Sequence, residues 1–521
     1  MQSQPSDADL PPRCYSGQTG EEDHLLRQCK FFRVFLPLLL LTTLGFLVMG
    51  YHPGAEDDSL YLAAVKTDVN PALFPHDSNF FQLQMRTSVF AAWMARFVVA
   101  TGMTVAWAEL LWQWICIFLV IWSCWSIVGH LFKENAARWA GVAMVAAMLT
   151  LPVSGTGLYF MDQYLHPRNP ATALILFGVS RMMVGKRWQA VPLVVLAFLM
   201  HPLMGALGIS FCTVLALVLC KPLRALLCSL GRRPGPDAAA FIPFTWIFGK
   251  PSQPWLEAIR TRHMFLLYEW KWYEWLGAIA PLLLFWLIAR VARRRGETSL
   301  CLFAAAVLIY GVFQQVVALV ILSPAAPIGM TTLEPMRYLQ LVYIFLALIG
   351  GAYLGRYVLR ARAWRWAIFL LVANGGMFLA QRQLFAASPH IELPQMATAN
   401  PWLQAFDWIR LNTPRDAYFA LDPDYNTAPG EDCHGFRALA ERGMLADINK
   451  DTSTVTKQPT LALAWKQQVE AREGWSSFQL ADFERLKAEF GADWALVSYP
   501  QPPAGLDCRW HNGSLAVCRI P

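Results

Sequence analysis

The sequence predicts an all-α polytopic membrane domain of about 9–11 transmembrane helices, followed by a small C-terminal extracytoplasmic α/β domain. Three observations carry this. The 521 residues are 56% hydrophobic and only 15% charged, against about 25% charged in an ordinary soluble chain. The deficit falls in long apolar blocks rather than evenly, which is the pattern of a multi-span protein. From about residue 385 onward the composition turns polar.

An apolar stretch of about twenty residues crosses a bilayer as a helix. Such stretches occur near 31–50, 105–132, 137–153, 169–184, 189–220, 273–291, 299–322, 338–358 and 364–384. Orientation follows from the basic residues, which concentrate in short cytoplasmic loops. Arg27, Lys30 and Arg33 put the N-terminus in the cytoplasm. Lys133 with Arg138, Lys186 with Arg187, Arg293-Arg294-Arg295, and Arg356, Arg360, Arg362 and Arg365 mark four more cytoplasmic turns. The alternation leaves the C-terminal segment outside. The chain thus divides into a cytoplasmic tail (1–30), a membrane domain (31–384) with first external loop 51–104, and an extracytoplasmic domain (385–521). The expected location is a multi-pass cell (inner) membrane. No small-x-small site follows the first apolar run, so it is expected to stay as a span.

Two regions resist simple assignment. Residues 79–103 are apolar but carry Arg86 and Arg96 and break at Thr101-Gly102, which fits a helix lying in the outer interface. Residues 189–220 read either as one long helix kinked at His201-Pro202 or as two short spans turning there. The single helix keeps the parity but leaves Lys221, Arg224, Arg232 and Arg233 outside; two spans require another crossing or re-entrant piece near 238–249. We expect the single helix. The aromatic and charged run Tyr268–Trp275 reads as an interfacial anchor.

In the polar segment, Asn400-Pro401-Trp402 opens a helix ending near Asn412-Thr413-Pro414, and Ala417–Leu421 is a strand stopped by Asp422-Pro423-Asp424. Ala481–Phe490 is a helix capped by Gly491, and Trp494–Tyr499 a second strand. Cys508–Ile520 is a hairpin turning at Asn512-Gly513, so the sequon Asn512-Gly513-Ser514 reads as the turn itself.

A net charge of +7 suggests nucleic acid in a soluble chain, but here the basic residues encode topology, so no nucleic-acid partner is expected. Of the eleven cysteines, Cys116, Cys124, Cys212, Cys220 and Cys301 lie in apolar runs and act as small hydrophobes. No CxxC pair occurs, so no metal-binding residues are assigned. Two of Cys433, Cys508 and Cys518 are able to bridge in an oxidising compartment. There is no phosphate-cradling glycine loop, nucleophile elbow or His-Glu zinc helix.

Three polar clusters share the outer face: Glu56-Asp57-Asp58 with Tyr61, then Asp162, His166 and Arg168, then Glu334 and Arg337. A carboxylate at a membrane boundary acts as a general base when burial and neighbours tune it, which makes Asp57 and Asp58 the candidate catalytic pair. Arg168 and Arg337 offer planar forks suited to phosphate oxygens. Glu56, Tyr61, Asp162, His166 and Glu334 complete the candidate substrate-binding set. Taken singly, each cluster reads as well as a solvated loop or a snorkelling arginine. Glu109 is an expected partner for Arg86 or Arg96, and His201 an expected donor or acceptor to its neighbours.

On these residues the chain resembles the GT-C superfamily of polytopic glycosyltransferases. Glu56-Asp57-Asp58 and Tyr61 match its acidic motif early in the first external loop, and 79–103 its interfacial helices. Asp162 falls where some members carry a second acid. Trp408–Pro414 with Ala417, and Phe490–Trp494, look like the soluble tails of bacterial GT-C-like proteins of uncharacterised function. The resemblance implies sugar transfer from a polyprenyl-phosphate carrier to a glycan, lipid or protein acceptor, with inversion at the anomeric carbon. Asp57 or Asp58 would activate the acceptor, and Arg337 would steady the lipid phosphate. Some members use a divalent cation and others do not, so no cofactor is assigned. No sequon-reading motif of the oligosaccharyltransferase type aligns. The alternatives are a transporter or flippase for a lipid-linked solute, or a non-catalytic GT-C relative.

Overall fold

The computed structural model describes residues 19–219 and 250–521, with side chains from residue 32 onward. Helix α1 (Thr19–Met49) leads into an external loop built from α2 (Asp58–Val69), α3 (Asn79–Met85) and α4 (Phe90–Thr101). There follow α5 (Val105–Leu131), α6 (Asn135–Ala147), α7 (Arg168–Met183), α8 (Arg187–Met200) and α9 (Pro202–Leu219). Seven helices among the described residues are long and apolar enough to cross a membrane: Phe32–Met49, Val105–Leu131, Pro202–Leu219, Trp272–Arg294, Thr298–Ile321, Ile328–Leu359 and Ala363–Leu384.

That count is below the nine or more expected, for local reasons. Helix α6 has 13 residues where 137–153 was expected to span, because the chain must leave helical geometry ahead of Pro152. Helix α7 has 16 and is stopped by Gly185 at φ +82°. Short as it is, α6 is deeply seated. An added Cβ on Gly141 would stand 2.7 Å from the Leu348 carbonyl, and one on Gly351 2.6 Å from that of Ala140. Small residues thus let α6 and the helix Leu339–Leu354 approach backbone to backbone.

The expected single helix over 189–220 is not what forms. His201 is extended (φ −147°, ψ 97°), and α9 folds back so closely that a Cβ on Gly205 would sit 2.2 Å from the Cα of Phe198. Residues seven apart in one helix are about 10 Å apart along its axis, so α8 and α9 form a hairpin. Pro202 starts α9, where its missing N–H costs nothing. Lys221, Arg224, Arg232, Arg233 and the 238–249 stretch, on which the parity of crossings rests, lie outside the described residues.

Residues 79–103 form two helices broken at 86–89, and Gly102 (φ +69°) ends the second as its sequence position suggests. In the aromatic run, Tyr268, Trp272 and Tyr273 are exposed. Trp270 is instead buried against Gly155.

The C-terminal sheet has order β2-β1-β3-β5-β4, with β1 (Tyr418–Ala420), β2 (Gly443–Met444), β3 (Trp494–Ser498), β4 (Asp507–His511) and β5 (Leu515–Arg519). Strand β1 is parallel to β2 and β3, whereas β3, β5 and β4 run antiparallel. Asn400 caps helix Pro401–Asn412 through Trp402 N–H at 2.8 Å, and Gly491 (φ +79°) ends helix Leu480–Phe490. At the hairpin, Asn512 Oδ1 accepts from the N–H groups of Ser514 and Leu515, both at 2.9 Å. Cys508 and Cys518 face each other across β4 and β5 and form a disulfide, leaving Cys433 free.

This domain does not hang free. Gly435 N–H donates to Gly54 O at 2.8 Å and Glu56 N–H to Cys433 O at 2.8 Å, so the acidic motif is bridged to the C-terminal chain by backbone hydrogen bonds. Lys66 pairs with Glu441, and Thr454 donates to Gln84 at 3.0 Å. The helix Gln253–Arg260, from what was expected to be the membrane domain, packs here too: its Trp255 shares a core with Phe80, Val455 and Trp465.

Candidate active site

The turn that follows α1 sets the site. Gly54 (φ +74°) has no room for a Cβ beside Leu439, and Glu56 itself takes a left-handed conformation (φ 51°). The chain then enters α2, with Asp57 at the N-cap position and Asp58 as first residue. Negative groups suit a helix start, where the free N–H groups point. Successive helical residues diverge by about 100°, and the two acids part accordingly.

Asp57 makes no capping hydrogen bond and turns into a cavity of about 320 Å3. The same cavity is lined by Glu56, Tyr61, Asp162, His166, Arg168, Glu334 and Arg337. Eight of the nine expected site residues, scattered from 56 to 337, are therefore brought together. The ninth is Asp58. It is 1% exposed, accepts from Gly54 N–H at 2.6 Å, and faces Glu109 behind the cavity wall. Burial pushes its carboxyl up to about 7, against the Glu109 and Gly54 hydrogen bonds, which lower it. Glu109 therefore partners Asp58 and not Arg86 or Arg96; the helix that carries it turns its polar face inward.

Each remaining acid in the cavity faces a base. Asp162 takes a forked pair from Arg168, Nε to Oδ2 at 3.0 Å and Nη2 to Oδ1 at 2.7 Å, with both side chains within 3% of full burial. Burial raises the Asp162 carboxyl against the pull of Arg168. With both oxygens accepting from the fork, the pair is ionic. Asn169 and Gln113 fix the backbone of Asp162 from two sides, at 3.3 and 2.6 Å. Glu334 (φ 46°) pairs with Arg337 and lies 3.4 Å from Lys457. Glu56 pairs with Lys450, whose Nζ also lies 3.8 Å from Asp57 Oδ1.

Burial opposes charge on Asp57, but Lys450, Arg168, Arg262 and Arg337 outweigh it and hold the carboxyl well below the usual range. His166 is held far below its ordinary value, first by burial and then by Arg168 and His201, so the ring is neutral. It accepts from Arg168 N–H through Nδ1 at 3.0 Å, and Tyr61 meets it edge-on at 4.4 Å. His201, at the α8–α9 turn, also faces the cavity and accepts from Met204 N–H at 3.3 Å.

Sequence reasoning missed three basic residues here: Arg262, Lys450 and Lys457. Arg262 follows the helix Gln253–Arg260 and donates to the Asn449 carbonyl at 2.6 Å, with no carboxylate within ion-pair distance among the described residues. Lys450 and Lys457 bracket the helix Asp451–Lys457. Their spacing of seven, two helical turns, is the one signal that placed them on a common face.

Five basic side chains thus meet four acids, and three buried guanidinium nitrogens, Arg168 Nη1, Arg262 Nε and Arg337 Nε, have no hydrogen-bond partner. A buried donor left unpaired is costly, and with five basic side chains around it the cavity is suited to an anion. No group of three or more His, Cys, Asp or Glu is placed to hold a metal ion among the described residues. The acids are already committed to cations, a donor set that does not fit a divalent ion. A larger groove of about 750 Å3, between α2 and residues 389–398, is mostly apolar and contains none of the nine expected residues. Compared with known proteins, the chain matches no family model and no characterised protein.

Proposed function

We propose that the chain is a membrane glycosyltransferase of the GT-C type, moving a sugar from a polyprenyl-phosphate carrier to a glycan, lipid or protein acceptor on the extracytoplasmic face. One observation carries this reading: an ionised carboxylate and three arginines line one cavity of a chain with seven long apolar helices among the described residues. Phosphate is an anion that planar guanidinium forks match bidentately. A lipid carrier explains why such a site sits in a membrane-type chain. The basic loops of the sequence and the Cys508–Cys518 disulfide both favour an outside position for the C-terminal domain.

In this reading Asp57 accepts the proton of the acceptor hydroxyl. The oxygen forms a bond to the anomeric carbon from the face opposite the phosphate, and the carbon–oxygen bond to the phosphate breaks. The electron pair leaves on the phosphate oxygen, where Arg168, Arg262 and Arg337 meet the growing charge. Tyr61 and neutral His166 form the wall beside the sugar. The sequence left Asp57 and Asp58 equal as base; only Asp57 reaches the cavity, so it takes the role.

The test is transfer of labelled sugar from a polyprenyl-phosphate donor by the purified protein in detergent. Wild type and Asp58→Asn transfer, while Asp57→Asn does not. Full transfer by a folded Asp57→Asn protein overturns the assignment. A carrier of lipid-linked solutes is the second reading, and the buried acid pair Asp58 and Glu109 favours it, since such pairs bind and release protons in transporters. Flux into vesicles without covalent transfer decides for it.

A further inference from the structure

In the resting geometry Asp57 is poorly suited to accept a proton, because Lys450 lies against it. We infer that Lys450 is an anion-operated latch: it holds Asp57 and Glu56 while the cavity is empty, and moves to a phosphate group when one enters, freeing Asp57 as base. The inference rests on the glycosyl-transfer reading.

Of the five basic side chains in the cavity, Lys450 is the one within ion-pair distance of Asp57, at 3.8 Å, and so the one whose departure frees it. Arg168 is locked in a fork by an acid that is itself nearly fully buried. Arg337 and Lys457 share Glu334, whose side chain is 5% exposed, and Arg262 is tied to a backbone carbonyl. Lys450 instead faces the two most open acids of the site, Glu56 at 39% and Asp57 at 33% exposed. Its backbone is anchored, with N–H to Asp447 Oδ1 at 2.5 Å and C=O accepting from Ser453. Only the four-carbon stem is left to swing, and an ammonium is a point charge that re-pairs without the fixed angle a guanidinium needs.

The surroundings of Asp57 make the release effective. Arg168, Arg262 and Arg337 act on it from α7, the segment after Gln253–Arg260, and the turn before Leu339–Leu354. Lys457 acts from the C-terminal domain, and Glu56, Asp162, Tyr61 and Tyr164 stand around it. An entering phosphate adds negative charge among these cations. It therefore works on Asp57 twice, by removing Lys450 and by offsetting the guanidinium groups that remain. An empty site keeps its carboxylate paired, and a loaded one exposes a base only when the leaving group is in place.

The experiment is the pH profile of transfer. The acid limb of kcat/KM reports the free protein and that of kcat the loaded one. Wild type is expected to show a kcat limb about 1–3 pH units above its kcat/KM limb, the range by which one opposite charge moves a carboxyl. In Lys450→Met the separation shrinks to what the phosphate gains by offsetting the three guanidinium groups alone. Lys450→Arg keeps the charge but stays on the acids, and lowers kcat while leaving KM near wild type. Coincident limbs in wild type, or the full wild-type separation retained in Lys450→Met, overturn the latch while leaving sugar transfer intact. If wild type transfers no sugar, carbodiimide labelling of Asp57, read by mass spectrometry at pH 5, judges the latch alone. Inorganic pyrophosphate or a short-chain polyprenyl phosphate raises labelling more in wild type than in Lys450→Met, and an equal rise in both overturns the latch. A response to the lipid alone assigns the anion to a headgroup, and a response to both assigns it to phosphate in general. No response to either overturns the latch.

Discussion

His434 offers a sharp test of how the C-terminal domain is held. Its ring is fully buried between two carboxylates, with Nε2 3.1 Å from Glu392 and Nδ1 3.4 Å from Glu431. With a carboxylate beside each nitrogen, the surroundings favour the charged ring. Burial opposes that charge, but Glu392 and Glu431 raise the group from 6.5 to about 10. His52, which donates to the same Glu392 at 2.6 Å, is lowered by burial and is neutral. The cluster joins the end of α1, the linker at 392 and the C-terminal domain.

At 1.36 kcal/mol per pH unit, the rise on His434 corresponds to on the order of 5 kcal/mol of folded-state preference. From the other side, Glu392 falls from 4.5 to about 2, or about 3 kcal/mol. These are one interaction seen from two ends and do not add; the His434 figure is larger because Glu431 contributes to it. Loss of one partner of a buried pair costs about 3–5 kcal/mol, in the same range. Because the folded value is raised, this stability is full below about pH 6.5 and is lost as pH climbs through about 10.

The perturbation is His434→Gln, followed by tryptophan fluorescence during thermal unfolding in detergent from pH 6 to 10.5. The variant is expected to melt roughly 6–20 °C below wild type at pH 6. The gap should close toward pH 10.5, as wild type loses the charge that the variant never had. A gap that stays constant with pH refutes the charge argument and leaves only lost packing. A gap under about 2 °C refutes the clasp altogether.

Three further outcomes follow from the same geometry. Asp162→Ala leaves the Arg168 guanidinium buried without its fork and should cost about 3–5 kcal/mol in denaturant unfolding, well beyond Asp407→Ala at the exposed Asp407–Arg410 pair, worth about 0–1 kcal/mol. Gly141→Ala should destabilise the helical domain by about 1–3 kcal/mol, since the new methyl meets the Leu348 carbonyl, whereas Gly129→Ala, with open space around it, should be neutral or stabilising when both are measured by thermal melting. Replacing Cys508 and Cys518 by serine should lower the melting point of the C-terminal domain by an amount reflecting about 3 kcal/mol, and an added reductant should do the same to wild type only.

The apolar blocks, the polar tail, the Asn512-Gly513 hairpin and the Gly102 and Gly491 helix ends were all legible because each rests on local chemistry. The gathering of Glu56, Asp57, Asp162, Arg168, Glu334 and Arg337 was legible one step further on, because charge-based topology assigns all of them to one face. What stayed hidden depends on contacts between distant segments. Strand β2 is two residues long and exists only because β1 lies beside it. The turn at His201-Pro202 needs α7 to pack on both arms, and a hydropathy profile reads through it. Lys450 and Lys457 lie in a polar run with no motif around them and acquire a role only when their helix docks on the first external loop.

The split between Asp57 and Asp58 shows why the docking and the chemistry are one problem. In sequence the two acids are equivalent, and helical geometry alone says only that they diverge. Which one meets the cavity depends on the phase at which α2 begins, and that phase is set by the Gly54–Glu56 turn. The turn is pinned from the C-terminal side by the Gly435-to-Gly54 and Glu56-to-Cys433 hydrogen bonds. Gly435 packs so close that a Cβ there would stand 2.1 Å from that of Ser59. Without the docked domain, the left-handed Glu56 is left with only local ties such as the Gly54-to-Asp58 hydrogen bond, and α2 is freer to start one residue earlier or later. A shift of one residue would rotate the acids by about 100°, enough to turn Asp57 away from the cations. The C-terminal domain therefore acts on the site in two ways, by supplying Lys450 and Lys457 and by fixing which of two neighbouring carboxylates faces them.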